Sequence, residues 1–279
     1  STTIKSGSIV SPELPIEFIN TGELDIKTTY VLPVTIKSVE GIGVLQSAKT
    51  YYYVFRGASL INVVCNISRN RAYPDFKNDS KFNNLTENTM EILFKANSFP
   101  NTLNTLMGIE SNYLLRIGDA TIPNNQLQVA TSVNNCTSAD LQLESGKWYH
   151  VAVAFNKGNV KVYINGVEKL SGSTGKSSVS LGAKHTNEED GSRCFWVGYS
   201  YKDDRYFDGV VSEVRIWNRA LTAEEIQATN HFYTIEPESE GLIAYWKFDE
   251  GSGTVAKDYS VSGYDLTIEK EPKWESVSL

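Results

Sequence analysis

Residues 146–170, GKWYHVAVAFNKGNVKVYINGVEKL, decide the fold class. Apolar and polar residues alternate with period two across Trp148 to Phe155, Val160 to Ile164 and Val167 to Leu170, which predicts three antiparallel strands. Asn165-Gly166 predicts a two-residue type I′ turn, because that turn needs positive φ at both central positions and Asn and Gly accept it at least cost. Lys157-Gly158-Asn159 predicts the same reversal one strand earlier. Val160, Val162 and Ile164 fall on one face and Lys161, Tyr163 and Asn165 on the other, as in a sandwich sheet with one buried and one wetter side.

Strand signals continue outward in both directions. Upstream, Thr89 to Phe94 reads as a strand, Thr105 to Ile109 and Tyr113 to Ile117 as a hairpin pair, and Leu127 to Val133 as a further strand. Downstream, Ser171 to Ser180 is a loop, Phe195 to Tyr199 a strand, and Tyr199 to Asp208 (YSYKDDRYFD) a polar and aromatic loop. Gly209 to Asn218 alternates again and leads into one short helix ending near His231, opened by a capping box of Thr222 and Glu225. Leu242 to Phe248 and Tyr264 to Ile268, with Trp274 as an apolar anchor, return to the same sandwich, since Tyr245, Trp246 and Phe248 must be buried somewhere.

Ahead of this body, Ser68 to Asp79 is polar and irregular, which places a boundary near residue 70. Residues 1–69 read as a small β-domain, the second half of a larger one, with strands at Ile16–Ile19, Thr29–Ser38, Thr50–Arg56 and Leu60–Ile67. Pro33 marks an edge strand because proline cannot donate to a ladder. The expected class is all-β: an antiparallel jelly-roll sandwich over 70–279 preceded by this N-terminal β-domain.

A chain of 279 residues with 41% hydrophobic content supports a real core. A net charge of −7 without a Lys/Arg run argues against nucleic acid, whose phosphates demand clustered cations. No apolar run approaches a bilayer span, and STTIKSGS at the start does not read as a signal peptide. Cys65, Cys136 and Cys194 form no CxxC, and no HExxH occurs. Cys65 reads as a small buried hydrophobe, and Cys136 and Cys194 either pair in an oxidising compartment or stay reduced, the redox reading being the weaker.

Two resemblances follow from these words. GKWYHVAVAF, VKVYINGV, FDGVVSEVRIWNRALTAEEI and YWKFDEGSGTVAKDYSVSGYDLT resemble the laminin-G-like, concanavalin A-like jelly roll that pentraxins share, over about 70–279. WKFDEGSG often comes first in such domains and stands last here, so the closing strands are expected to fill the place of the opening ones. TYVLPVTIKSVEGIG and TYYYVFRGASLINVV, within 1–66, resemble the second half of an uncharacterised N-terminal domain of surface glycan-utilisation lipoproteins of Gram-negative gut-type bacteria. That resemblance implies an extracytoplasmic, lipid-anchored outer-membrane location, the membrane being reached only through an anchor upstream of Ser1, and partnership with other components of a glycan-uptake complex.

Sugars offer flat CH faces edged by hydroxyls, so their sites need rings beside acids, amides or arginines. The loop supplies Tyr199, Tyr201, Asp203, Asp204, Arg205 and Tyr206, with Trp196, Tyr113 and Arg116 nearby and Asn124 and Asn125 as secondary polar candidates. The competing view is a solvated hairpin tip with an Asp203–Arg205 surface pair worth little. Trp148, Trp217 and Trp246 read as core. No cofactor is expected to be required, but the pentraxin comparison puts this loop where calcium sits, and Asp203 and Asp204 are hard oxygen ligands of the kind calcium takes.

Catalysis finds less support. The glucanase strand pattern Glu-x-Asp-x-x-Glu is absent, Asp203-Asp204 and Glu188-Glu189-Asp190 are loop acids, and no GxSxG elbow accompanies His150, His185 or His231. His150 reads as a satisfied sheet histidine and His231 as a cation at a helix end. The expected function is non-catalytic capture of oligo- or polysaccharide, with a glycoside hydrolase on the same scaffold, or an adhesion module gripping a protein, as alternatives.

Overall fold

Asn165 has φ 49° and Gly166 φ 77°, the two positive values a type I′ turn demands, and the strands leave it paired at Ile164↔Val167. Lys157 and Gly158, at φ 47° and 95°, reverse the chain one strand earlier, between Asn156 and Asn159. These features belong to a computed structural model that describes residues 2–8, 16, 24, 28–41, 43, 45–56, 61–186 and 193–279.

The chain divides into two units, Ser1–Ser59 and Leu60–Leu279. In the first, β1 (Thr29–Thr35) pairs antiparallel with β2 (Thr50–Arg56), Pro33 facing Tyr52, and Tyr30 stacks on Phe55 at 5.9 Å. The strand expected at Ile16–Ile19 lies, beyond Ile16, outside the described residues.

In the second unit the strands in chain order are β3 (Val63–Asn66), β4 (Ala72–Pro74), β5 (Glu87–Ala96), β6 (Asn104–Ile109), β7 (Tyr113–Asp119) and β8 (Ile122–Thr131). Then come β9 (Trp148–Asn156), β10 (Asn159–Ile164), β11 (Val167–Ser173), β12 (Trp196–Val197) and β13 (Gly209–Trp217). After α1 (Ala223–Ile226), the one α-helix among the described residues, β14 (Leu242–Trp246), β15 (Val255–Ala256), β16 (Leu266–Ile268) and β17 (Lys273–Ser276) close the fold. One sheet runs β11-β10-β9-β5-β13-β3-β17 with β14 also on β13, and the other runs β15-β16-β4-β12-β6-β7-β8.

Every pairing among the described residues is antiparallel, and the inward side chains of both sheets meet in one core that includes Ile92, Phe94, Leu115, Val129, Val153, Phe155, Val211 and Trp246. The expected all-β sandwich is therefore what the chain forms. Val160, Val162 and Ile164 face that core as their alternation required.

The division expected at residues 69/70 is corrected by this pairing. β3 is hydrogen-bonded between β13 and β17, through Val211↔Cys65 and Trp274↔Cys65, so residues expected in the N-terminal domain are interior to the sandwich. The closing strands pair with the opening strands of this unit, β16 with β4 and β17 with β3.

Two local expectations change. The capping box forms as expected, Thr222 accepting from Glu225 N–H and Glu225 from Thr222 N–H, but the helix stops at Ile226, well short of His231. No disulfide joins Cys136 and Cys194, since the Cys136 thiol donates to Ser173 O at 3.3 Å and Cys194 Sγ lies 3.3 Å from His185 Nδ1. Among the described residues no helix is long and apolar enough to cross a membrane.

Candidate functional site

Each sheet turns one face inward, and the two outer faces differ. On the larger sheet, Ala152, Ala154, Tyr163, Trp217 and Tyr245 point outward yet are buried, because the segment after β13 packs over them with Leu221, Ile226, Phe232 and Ile235. Tyr163, expected on a wetter side, is 2% exposed for this reason. Farther along the same face Val64, Leu93 and Val210 are covered by Val277 and Leu279.

Beneath that cover lies a buried ionic cluster. Glu91, on β5, accepts from Trp217 Nε1 at 2.6 Å, and its other oxygen lies 2.6 Å from His231 Nε2. His150 Nε2 stands 3.3 Å from the same oxygen but is not aligned for a hydrogen bond, and neither ring nitrogen of this fully buried histidine has one. Arg215 lies opposite Glu91 in register, donates to His231 O at 2.7 Å, and pairs with Glu213.

Glu213, at φ 49°, sits where the β13 register against β5 shifts, and it also accepts from Tyr245 OH at 2.6 Å. Glu91, His150 and His231 are the one group of three metal-capable side chains found close together among the described residues. The Glu91 oxygens already meet Trp217 and His231, and Arg215 Nη1 stands 3.8 Å from one of them, an arrangement suited to holding the cover in place.

Burial pushes the Glu91 carboxyl up, but His150, His231 and the Arg215 charge outweigh it and hold it well below the ordinary range. Burial pushes His150 down. A histidine whose folded pKa is depressed contributes stability that is fully present above its unfolded value and is lost as pH falls below it. Glu91 acts in the same direction lower down, and Glu213, raised mainly by burial, opposes both. Guanidinium unfolding between pH 7.5 and 5.5 is expected to show stability falling below about pH 6.5, by up to about 1.4 kcal/mol per pH unit for one proton. His150→Gln should flatten that fall, and an equal slope in wild type and variant would refute it.

The outer face of the smaller sheet is built differently. Ala72, Val197, Leu115, Ile117, Leu127 and Val129 go to the core, so the residues alternating with them, Tyr73, Trp196, Arg116, Gln126 and Gln128, point outward. The loop after β12 joins them, with Ser200 hydroxyl 3.1 Å from that of Thr105 on β6. Arg116 donates to Gln128 Oε1 through Nε and Nη2, at 2.8 and 2.6 Å, and also to Asp119.

Glu110 lies between two arginines and is held loosely by both. Its oxygens are 4.0 Å from Arg116 Nη1 and 3.5 Å from Arg205 Nη1. Arg205 Nη2 donates to Tyr201 OH at 3.2 Å, its guanidinium stands 4.9 Å from the Tyr201 ring centre, and its Nε makes no hydrogen bond, the nearest carboxylate oxygen being that of Asp204 at 3.6 Å. Across β12 and β4, Arg71 is paired to Glu269 through two hydrogen bonds and lies over the rings of Trp196 and Tyr199 at 5.1 and 4.6 Å. Tyr73 stacks on His185 at 3.4 Å, and Tyr206, 4.9 Å from Tyr199, has its hydroxyl pushed up to about 12, chiefly by burial.

The profile of the concanavalin A-like lectin/glucanases superfamily matches residues 70–227, more than half of the chain. The chain belongs to this superfamily. No curated protein matches it in sequence. Among solved structures, the lectin/glucanase-like chain is similar to a candidate carbohydrate-binding protein from Bacteroides ovatus, at 26% identity and TM-score 0.69, over 92% of this chain and 72% of that one. It also aligns with domain 4 of an extracellular arabinanase from Geobacillus stearothermophilus in complex with arabinotriose (19%, TM-score 0.45, 75% and 89% of the two chains). A third alignment is with a heptameric pentraxin from Limulus polyphemus (15%, TM-score 0.42, 61% and 82%).

In this superfamily member the expected site residues are mostly brought together. Trp196, Tyr199, Tyr201, Arg205, Tyr206 and Arg116 share the outer face of the smaller sheet or the loop over it. Trp196 and Tyr199, 3% and 5% exposed, form the bed under Arg71. Tyr113 is a correction: it is fully buried against Phe155, because the alternation that turns Arg116 outward turns Tyr113, Leu115 and Ile117 into the core.

Asp203 and Asp204 are exposed in a single 3-10 turn, and the arginine pairs with Asp204 at 3.6 Å and with Glu110. Asn124 and Asn125 are spent on the carbonyls of Phe99 and Leu143. Trp217 and Trp246 are buried as expected, and Trp148 is half-buried under Lys95. Glu188-Glu189-Asp190 lie outside the described residues. Sequence reasoning missed Arg71, Tyr73, Glu110 and Gln128. The Arg71-Ala72-Tyr73 alternation was the available signal, but it stood in a stretch read as irregular.

Proposed function

We propose that this chain is a non-catalytic carbohydrate-binding protein that holds glycan on the outer face of the smaller sheet. The observation that carries this reading is Arg116, Glu110 and Arg205: a carboxylate facing two guanidiniums, 4.0 Å from one and joined to the other by a long 3.5 Å hydrogen bond, with Arg205 Nε making no hydrogen bond and standing 3.6 Å from Asp204. Buried donors are ordinarily satisfied, and contacts this long leave donor and acceptor capacity unused on both sides. A sugar hydroxyl donates to the carboxylate and accepts from a guanidinium, which suits both. The superfamily and the Bacteroides ovatus structure, a candidate carbohydrate-binding protein, support the reading.

The N-terminal resemblance supports a lipid-anchored, outer-membrane or cell-surface setting in which glycan is captured for an uptake system with other surface components. Calcium at Asp203 and Asp204 belongs to this proposal as an accessory to the loop. A glycan array on the full chain, with and without chelator, tests it. Hits are expected that fall at least about tenfold in Arg205→Ala, the cost of losing a charge-assisted contact, and that weaken with chelator if calcium orders the loop. An array without hits would overturn sugar binding in favour of a protein partner, and release of reducing ends would turn the reading into a hydrolase.

A further inference from the structure

The buried cluster on the outer face of the larger sheet has the make-up of a cation site as well as that of an ion pair. We propose that Glu91, His150 and His231 bind one zinc ion, which pins the segment after β13 to the sheet. Three observations lead there.

The first is geometry. Both histidines turn Nε2 toward one carboxylate oxygen: Glu91 Oε1 lies 2.6 Å from His231 Nε2 and 3.3 Å from His150 Nε2, and the three ligand atoms all lie within 4.8 Å of one another. Zinc holds imidazole nitrogen and carboxylate oxygen at about 2.1 Å in a tetrahedron, which sets neighbouring ligand atoms about 3.4 Å apart. The Glu91–His150 edge already has that length. The Glu91–His231 edge must open by less than about 1 Å, and His231 sits in the irregular segment after α1, whereas Glu91 and His150 are fixed on the paired strands β5 and β9.

The second is an idle ligand beside an oriented one. His150 is fully buried, yet neither of its ring nitrogens makes a hydrogen bond, an arrangement that is costly in a dry interior. Coordination through Nε2 would use the lone pair that hydrogen bonding leaves idle. The second oxygen of Glu91 is already held by Trp217 Nε1 at 2.6 Å, with Arg215 Nη1 3.8 Å away, so the carboxylate is aimed as outer partners aim a metal ligand.

The third is charge and chemistry. Two buried carboxylates, Glu91 and Glu213, face one guanidinium, Arg215, and a cation redresses that surplus. Two imidazole nitrogens with one oxygen suit zinc, whereas calcium and magnesium take oxygen sets. Phe232 stacks on His150 at 4.5 Å and shuts the cluster off from any substrate, so the ion holds the fold and does not react. Because the third ligand arrives with the cover, binding the ion and covering the sheet are one event.

The full chain, stripped with chelator, dialysed against zinc and freed of excess, tests the proposal, with magnesium as control. Elemental analysis should give one zinc per chain. The thermal midpoint should rise by about 5 °C or more at a hundredfold excess of zinc over its dissociation constant, and magnesium should not move it. His150→Gln and His231→Gln should each weaken zinc at least about a hundredfold, no less than the loss of an outer partner costs. His185→Gln, the third of the three histidines in the sequence, should leave it unchanged. X-ray absorption at the zinc edge of the wild-type protein, which needs no variant to fold, should show nitrogen and oxygen at about 2.0–2.1 Å and no sulfur. Sulfur at about 2.3 Å, lost with His185→Gln, would move the ion to the Cys194–His185 contact and overturn the proposal. So would the absence of stoichiometric zinc, or full affinity in both cluster variants.

Discussion

Glu91→Ala is expected to destabilise the fold by about 3–5 kcal/mol, the largest effect of any single substitution considered for this chain. The carboxylate is fully buried and serves three groups from separate parts of the sequence: Trp217 Nε1, His231 Nε2 and, at 3.8 Å, Arg215. Removing it strands the Trp217 and His231 donors in a dry interior, leaves Glu213 as the one carboxylate paired with Arg215, and opens a void. The midpoint of thermal unfolding should fall by on the order of 10 °C. Glu91→Gln keeps the shape and the tryptophan contact, so it should cost less than alanine but more than a surface change. Chemical denaturation of both variants measures this. A loss under about 1 kcal/mol for alanine would mean that the cluster does not hold the cover over the larger sheet.

Arg116→Ala carries the largest expected effect on binding, a loss of about thirtyfold or more, equivalent to about 2 kcal/mol. The side chain is 8% exposed, and its Nε and Nη2 are committed to Gln128, so the fork is held rigidly before any ligand arrives. Nη1 remains, 4.0 Å from Glu110, and is the donor a hydroxyl would reach. Arg116→Lys keeps the charge and loses the planar fork, so it should bind nearly as poorly as alanine. Unfolding curves separate this from damage to the sheet. A correctly folded alanine variant binding within about twofold of wild type would place the ligand elsewhere.

The sequence exposed the sheets far more readily than the site. The residue 146–170 meander was legible because period-two alternation and Asn-Gly turns are local properties, and both formed where the letters placed them. Long-range consequences were not local. His231 and Glu91 meet across 140 positions, and a histidine read as a helix-end cation turned out to be buried because the chain after Ile226 folds back over the sheet.

Tyr163 illustrates the same point. Its alternation correctly assigned it to the opposite face from Val162, but alternation cannot say whether that face is later covered. The candidate ligand face was half legible. Tyr199 to Tyr206 stood out by composition, whereas Arg71 and Tyr73 lay in a segment read as a boundary. Tyr113 was misplaced because Arg116, three residues on in the same strand, necessarily points the other way.

Both sheets are sealed by strands from opposite ends of the second unit, Ala72 facing Ile268 in one and Cys65 facing Trp274 in the other. During synthesis, therefore, neither layer can be completed until β16 and β17 have left the ribosome. Until then the nascent chain offers the open sides of β3 and β4 to its neighbours, a hazard of misassembly that ends when β16 and β17 cover them.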